Sequence, residues 1–165
     1  MKKLILIGSI LFSSFVNAQD ELKLDIFDAL ALKTIEVSYE HFLNDQSSVG
    51  VSALFNFEKK SANFRYNEKR SITPYFRHYF TTDYKWNFFG EAFFSLNYGE
   101  KDETILGVPT TEDYTDGALG IAVGLKYATE NGFVIDIFAG AGRNLFTEIS
   151  PIVVPRTGIN LGWRF

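Results

Sequence analysis

The chain has 165 residues, a length that suits one domain, and its 16 Lys and Arg against 20 Asp and Glu give a formal net charge of -4. With 46% hydrophobic and 22% charged residues it is too apolar to be disordered, and its mildly acidic balance excludes a general nucleic-acid binder. Cysteine is absent, which excludes disulfides, a cysteine-ligated zinc and a lipoprotein anchor, whereas aromatic residues reach 16%.

The first 18 residues have the pattern of a secretory signal peptide. Lys2 and Lys3 precede an apolar run, and Val16 and Ala18 occupy the −3 and −1 positions of a cleavage site. We therefore expect cleavage after Ala18, with residues 19–165 forming the mature domain. The apolar run is short for a membrane-spanning helix, which needs about 20 residues. No later stretch is long and apolar enough to form one.

After residue 20 the hydrophobic pattern has a period of two, which indicates strands with two unlike faces. In chain order, the predicted strands span residues 22–30, 34–43, 48–58, 71–80, 87–98, 116–128, 132–143 and 156–165. No internal repeat and no low-complexity linker separates them.

The two faces of these strands differ in size as well as polarity. One face carries bulky groups such as Val51, Phe55 and Ile121, and the other carries glycine, serine and charges such as Ser52 and Glu91. The interior of an eight-stranded barrel is just wide enough for side chains to fill, so it has no room for the bulky set, and a soluble lipocalin-like barrel is excluded. The bulky face must point into lipid, where each burial is favourable by about 1.5–3 kcal/mol. A sheet in lipid must also close, because it tolerates no open edge.

The lengths of the predicted connections alternate along the chain. Short connections fall near residues 44–47, 81–86 and 129–131. Longer connections fall near residues 59–70, 99–115 and 144–155. This is the order expected of a bacterial outer-membrane barrel with both termini in the periplasm, and only the first outer connection, near residues 31–33, is short. We predict an all-β, eight-stranded antiparallel up-and-down transmembrane β-barrel in the outer membrane of a Gram-negative bacterium.

Aromatic residues are predicted to mark the membrane interfaces, where a ring with an apolar body is favoured. The periplasmic girdle is predicted to comprise Phe80, Trp86, Phe88, Tyr127, Phe133, Trp163 and Phe165. Phe57, Tyr98 and Phe146 are predicted to mark the outer rim.

The inward face is predicted to hold a network of charges. By parity its members are Lys23, Asp25, Glu36, Glu40, Arg77, Glu91, Lys126, Asp136 and Arg164. Unpaired charge is unfavourable in a confined interior, so we expect ion pairs and hydrogen bonds that plug the lumen. A narrow polar conduit is the alternative, although eight strands leave little room for one.

His41 and His78 are the only histidines, and parity places both on or near the outward face. A bulge beside Pro74 is the expected way for a mid-strand His78 to turn inward. Two histidines are too few for a dedicated metal site, and no Ser–His–carboxylate grouping stands out from the spacing. We therefore predict no catalytic residue, no metal and no cofactor, with a lipid-A-modifying enzyme as an alternative.

Two predicted outer loops carry opposite charge. Residues 58–70 are mostly basic and residues 99–116 mostly acidic. They are expected to be solvated, to pair with each other, or to bind lipopolysaccharide phosphates directly or through divalent cations.

The end of the chain, GWRF at residues 162–165, resembles the C-terminal recognition strand of outer-membrane barrels, which implies insertion by the barrel-assembly machinery. Residues 21–25 (ELKLD), 35–40 (IEVSYE) and 47–52 (SSVGVS) resemble the opening of small outer-membrane barrels common in Bacteroidota, a family without an assigned activity. The overall plan is also similar to OmpX and to the barrel of OmpA.

Because the lumen looks plugged and no catalytic grouping stands out, we predict a non-enzymatic protein of the cell envelope. Its expected partners are outer-membrane lipid and lipopolysaccharide, or a larger outer-membrane complex in which it is a small subunit. The alternative function is a narrow pore for ions or small solutes.

Overall fold

The computed structural model describes residues 19–31, 33–57, 68–82, 85–105, 108–147 and 149–165, so the predicted signal peptide lies outside the described residues. The elements are β1 (Asp20–Asp25), α1 (Ile26–Ala31), β2 (Thr34–Asn44), β3 (Ser47–Asn56), β4 (Glu68–Tyr79), β5 (Trp86–Ile105), β6 (Val108–Ala128), β7 (Phe133–Asn144) and β8 (Val153–Arg164). Each strand pairs antiparallel with its neighbours in sequence, and β1 pairs with β8 to close the barrel. The predicted fold class is confirmed.

The alternation predicted from sequence is visible in the exposure of the side chains. On β6, Ile121 is 72% exposed, whereas its neighbour Ala122 is 3% exposed and points into the barrel. Outward positions on the other strands are likewise occupied by large apolar residues, such as Leu96 and Phe76. Within the described part of the chain, no helix is long and apolar enough to cross a membrane.

The first predicted strand, residues 22–30, is wrong in its second half. The pairing of β1 ends at Asp25, opposite Asn160 of β8, and the next six residues form α1. Beyond that point β1 has no partner strand on either side, so the alanines and leucine of this segment follow their helix preference. Lys33, with φ of 49°, then turns the chain into β2.

The predicted outer loop at residues 99–115 is also wrong, because β5 and β6 continue through it. They pair without interruption from Trp86↔Tyr127 to Ile105↔Val108. The pairing of β4 with β5 reaches only Gly99, and that of β7 with β6 begins only at Ala118. Residues 100–105 and 108–113 therefore form a two-stranded projecting ribbon, whose charged sequence has no apolar alternation to reveal it.

The interior is more aromatic than the sequence analysis predicts. Buried rings project inward from β4, β5 and β7, namely Tyr75, Tyr79, Phe89, Phe93 and Phe138. Inward glycines on neighbouring strands leave room for them: a Cβ on Gly124 would lie 2.5 Å from Phe89 Cζ, and one on Gly120 would lie 2.4 Å from Phe93 Cζ. The narrow lumen therefore accepts large rings because glycines face them.

Candidate functional site

The carboxylate of Glu40 lies at the centre of the lumen and is fully buried. Its Oε2 accepts hydrogen bonds from Lys23, from Lys126 Nζ at 3.0 Å and from an Arg77 amino group at 3.0 Å. Its Oε1 accepts hydrogen bonds from the hydroxyls of Ser48 and Tyr79, each at 2.6 Å. One carboxylate thus holds three cations, which a single negative charge cannot neutralise alone.

Asp136, on β7, supplies a second negative charge to the same cations. Its Oδ2 accepts hydrogen bonds from Lys23 Nζ at 2.7 Å and from Arg77 at 2.6 Å, and its Oδ1 lies 3.8 Å from Lys126 Nζ. Because Glu40 comes from β2, the cations bridge carboxylates that approach from different sides of the barrel. These bridges cross the lumen and fill it.

The ion pairs continue along the barrel axis in both directions. Toward the far end, Glu91 accepts from the Nε atoms of Arg77 and Arg156, both at 2.6 Å, and Arg156 lies 3.3 Å from Glu36. Toward the end that carries the termini, Glu21 accepts from Lys126 at 2.5 Å and from Arg164 at 2.6 and 2.9 Å. The charges therefore form a continuous chain of salt bridges through the interior.

Aromatic rings are packed between these charges. The Arg77 guanidinium lies 4.2 Å from the centre of the Phe89 ring and 4.8 Å from that of Tyr75. Arg156 lies 5.2 Å from the ring of Phe93. Rings at these distances attract cations through their π faces and take the place of water around them.

We call this assembly the charge–aromatic plug. Its members are Glu21, Lys23, Glu36, Glu40, Tyr75, Arg77, Tyr79, Phe89, Glu91, Phe93, Lys126, Asp136, Phe138 and Arg156. Pockets remain on both sides of it. The pocket at the end with the termini measures about 380 Å³ and has Lys126 and Arg164 among its lining residues, whereas the one beside Arg156 holds only about 20 Å³. Among the described residues, the plug separates the two pockets.

All nine residues predicted for the lumen point inward, and eight of them take part in the salt bridges described above. The ninth, Asp25, accepts a hydrogen bond from the Ile159 amide at 3.4 Å, and its Oδ2 lies over Gly158. Sequence reasoning missed Glu21 and Arg156. Both have the inward parity of their strands, so extending that parity to the strand ends would have found them.

The two histidines stay on the outward face. His41 Nδ1 lies 2.7 Å from an Asp20 oxygen, and His78 Nδ1 lies 3.3 Å from the Ser47 hydroxyl. The expected bulge beside Pro74 is wrong: the register of β4 shifts between Glu68 and Arg70, and His78 is the last residue but one of the strand.

These contacts do not assemble a hydrolytic site. Among the residues described, no carboxylate contacts His78, so the Ser47–His78 pair lacks the acid that orients the histidine in a catalytic triad. The same part of the chain contains no cluster of three or more metal-ligating side chains.

The predicted girdle residues lie at the strand ends nearest the termini. Phe80 stacks on Phe88 with ring centres 5.5 Å apart, and Trp86 packs against Tyr127 at 5.3 Å. Phe133 begins β7, while Trp163 and Phe165 close the chain. Of the residues predicted for the opposite rim, Tyr98 lies under Arg70 at 4.6 Å. Phe57 and Phe146 are exposed.

At the far end, the predicted basic loop is mostly outside the described residues, but Lys69 forms an ion pair with Glu100 at the base of the projecting ribbon. The hydrogen bond that Lys69 donates to this carboxylate raises the pKa of the lysine. The sequence predicted that the two oppositely charged segments could pair with each other, and the ion pair between Lys69 and Glu100 is one such contact.

Asp116 fixes the connection between β7 and β8. It lies beyond Leu119, where the outward apolar run of β6 ends, and its Oδ1 accepts the amides of Gly117 at 2.6 Å and Phe146 at 2.9 Å. Its Oδ2 accepts the Thr147 amide at 3.0 Å and the Ser150 hydroxyl. Burial alone would raise the pKa of Asp116, but these hydrogen bonds outweigh burial and lower it to about 2.

Replacing Asp116 by alanine is expected to release this connection. The amides of Phe146 and Thr147 would lose their acceptor, so their hydrogen exchange should accelerate at least about tenfold, with a loss of about 1–3 kcal/mol in unfolding free energy. Nuclear magnetic resonance of amide exchange in detergent micelles measures this, with Asp113→Ala on the projecting ribbon as the control. Unchanged exchange at Phe146 would show that Asp116 does not hold the connection.

The pH dependence has a defined sign. Because the folded pKa lies below the unfolded value of about 4, the contribution of Asp116 is present above about pH 4 and is lost as the pH falls toward 2. The wild-type protein should lose stability over that window more steeply than Asp116→Ala, as measured by urea unfolding.

Comparison with protein-family models gives no match, and comparison with curated proteins gives none. Among solved structures, the chain is similar to the N-terminal β-barrel domain of Pseudomonas aeruginosa OprF, with a TM-score of 0.63 and 12% identity over 90% of this chain and 96% of that one. Neisserial surface protein A gives a TM-score of 0.51 and 16% identity over 90% and 94% of the two chains. The Yersinia pestis outer membrane protein Ail, in a phospholipid bilayer nanodisc, gives a TM-score of 0.50 and 13% identity over 90% of this chain and 100% of that one.

At these identities the likeness concerns the fold. The expected similarity to OmpX and OmpA holds at the level of small eight-stranded outer-membrane barrels, and nothing in the comparisons supports a Bacteroidota type. The chain has the fold of a small outer-membrane β-barrel.

Proposed function

We propose that the protein is a non-enzymatic integral barrel of a Gram-negative outer membrane, with a structural or interaction role in the envelope. In this proposal the chain is exported by a signal peptide cleaved after Ala18 and inserted by the barrel-assembly machinery through β8. The observation that carries the functional part is the charge–aromatic plug, which fills the lumen and leaves no catalytic grouping among the described residues.

The height of the outward apolar surface supports a membrane location. From Trp86 to Leu96 on β5, both of them outward and exposed, a rise of about 3.3 Å per residue gives roughly 33 Å along the strand. At a strand tilt of about 40° this is about 25 Å along the barrel axis, the height of the apolar band in outer-membrane barrels. The girdle at the end with the termini then lies at the periplasmic interface, and the projecting ribbon extends outside the cell.

The closure of the barrel supports insertion through the C-terminal strand. β8 pairs with β1 from Glu21↔Arg164 to Asp25↔Asn160, and the Phe165 amide donates to the Asp20 carbonyl at 2.9 Å. The last strand is therefore the one that completes the closed sheet, and it carries the GWRF ending at its periplasmic end.

The plug argues against the alternative of a pore. We expect planar bilayers containing the wild-type protein to show no discrete channel openings at moderate voltage, because the salt bridges of Glu40 and Asp136 cross the lumen. Heat-modifiable electrophoretic mobility would verify that the barrel is folded, and a general porin would serve as the positive control. Reproducible openings of one size from the folded protein would contradict the plug and favour the pore.

The interaction role is tested by gentle extraction and mass spectrometry of the co-purifying proteins. A stoichiometric companion would assign the barrel to a larger outer-membrane complex, and a lone barrel with bound lipopolysaccharide would assign it to the envelope itself. Lipid A hydrolysis by the purified wild-type protein that the His41→Ala, His78→Ala variant lacks would overturn the non-enzymatic proposal.

A further inference from the structure

Arg143 occupies an unusual place on the outside of the barrel. It is exposed on the outward face of β7, in register with Leu119 of β6 on one side and Val153 of β8 on the other. Both neighbours are apolar and exposed, and the next outward residue along β7 is Ala141. The guanidinium therefore lies in a surface that otherwise suits acyl chains.

Among the described residues, Arg143 has no ion pair and no hydrogen-bond partner for its side chain. Of the inward arginines, Arg77 binds three carboxylates and Arg156 binds two. The outward Arg70 stacks on Tyr98. A cation on the lipid face is unfavourable by an amount that grows with its depth in the membrane. Nothing in the described residues offsets the charge of Arg143, whereas a phosphate of the surrounding lipid would.

The surface beyond Arg143 is apolar again. The connection fixed by Asp116 exposes Leu145, Phe146 and Ile152, and the Phe146 ring lies against Gly117, where an added Cβ would meet Phe146 Cε2 at 2.5 Å. Among the described residues of this part of the surface, the guanidinium is thus one charge framed by apolar side chains. This frame suits a ligand that carries a phosphate directly beside its acyl chains.

We propose that Arg143 binds a phosphate of lipid A, with the acyl chains of that lipid covering Leu119 and Val153. Lipid A carries its phosphates on the same sugars that carry its acyl chains, so one molecule meets both requirements. A planar guanidinium donates two parallel hydrogen bonds to a phosphate, which a lysine ammonium does not reproduce. The inference rests on the proposed function, because it needs the far end of the barrel to lie in the outer leaflet.

Native mass spectrometry of the folded barrel in mild detergent, titrated with bis-phosphorylated lipid A, tests the inference. Arg143→Gln is expected to weaken binding by at least about tenfold, and Arg143→Lys by less. Lys85→Gln removes one exposed cation at the opposite rim and should leave the affinity unchanged. Fully dephosphorylated lipid A should bind the wild-type protein and Arg143→Gln equally, and weakly.

Equal binding of bis-phosphorylated lipid A to the wild-type protein and Arg143→Gln would overturn the inference. An equal loss for phosphatidylglycerol would overturn the assignment to lipid A, because the site would then accept any lipid phosphate. If the lipid-free protein formed a dimer and Arg143→Gln abolished it, the inference would also be overturned. The partner of Arg143 would then be a second copy of the chain. Each of these results leaves the outer-membrane location intact, which cell fractionation tests separately.

Discussion

Replacing Glu40 by alanine is expected to lower the unfolding free energy by about 3–5 kcal/mol, because it breaks a buried ion network by removing one partner. Lys23, Arg77 and Lys126 would remain buried with one carboxylate fewer, and the hydroxyls of Ser48 and Tyr79 would lose their acceptor. Urea unfolding of the barrel in phospholipid vesicles, followed by tryptophan fluorescence, measures the loss.

Two control variants separate charge from general disturbance. Glu40→Gln keeps an acceptor oxygen for the two hydroxyls but removes the charge. Its unfolding free energy should therefore fall by less than that of Glu40→Ala. Glu112→Ala, on the projecting ribbon, should stay within about 0.5 kcal/mol of the wild-type protein. If Glu40→Ala lowered the unfolding free energy by no more than Glu112→Ala does, the charges would not stabilise the plug.

Replacing Gly124 by alanine is expected to lower the unfolding free energy by about 1–3 kcal/mol or more, because the added methyl group overpacks the lumen. The added Cβ would lie 2.5 Å from Phe89 Cζ and 2.6 Å from the Ile137 carbonyl oxygen. The ring has no free space to move into, because Arg77 lies over it at 4.2 Å, and the carbonyl is part of the pairing between β6 and β7. The same urea unfolding experiment measures the loss.

Gly90 offers a matched control on the adjacent strand. It faces outward, and an added Cβ would approach only the Phe80 ring, at 3.2 Å. That ring lies on the outer surface and can shift, so Gly90→Ala should be neutral or slightly stabilising, since alanine loses less backbone entropy on folding. Equal losses for the two variants would mean that the lumen is loosely packed around Phe89.

The barrel itself was predictable because its evidence is local. The alternation around Ile121 on β6 needs only neighbouring residues, and closure follows from the cost of an open edge in lipid. The end of β1 was not predictable in this way. Residues 26–30 continue an apolar pattern, and only the loss of partner strands after Asp25 turns them into a helix.

The sequence predicts which charged residues point into the lumen, but it does not predict which of them pair with each other. Parity placed Glu40 and Arg77 inside, but the pairing of Arg156 with Glu36, 120 residues away, depends on the register around the whole barrel. The inward rings share the parity of Arg77 and Glu91, but a narrow eight-stranded lumen predicts no room for them. In the structure, glycines such as Gly124 make the space that Phe89 occupies.

The central claim is that the bulky apolar face contacts acyl chains. Ile121, which is 72% exposed on the outward face of β6, is the place to test it. A variant with Ile121→Trp, Trp86→Phe and Trp163→Phe has a single tryptophan, because the chain has two tryptophans. In vesicles, lipids brominated deep in the acyl chains should quench its fluorescence strongly and aqueous acrylamide weakly. Strong quenching by acrylamide with none by brominated lipid would contradict the account.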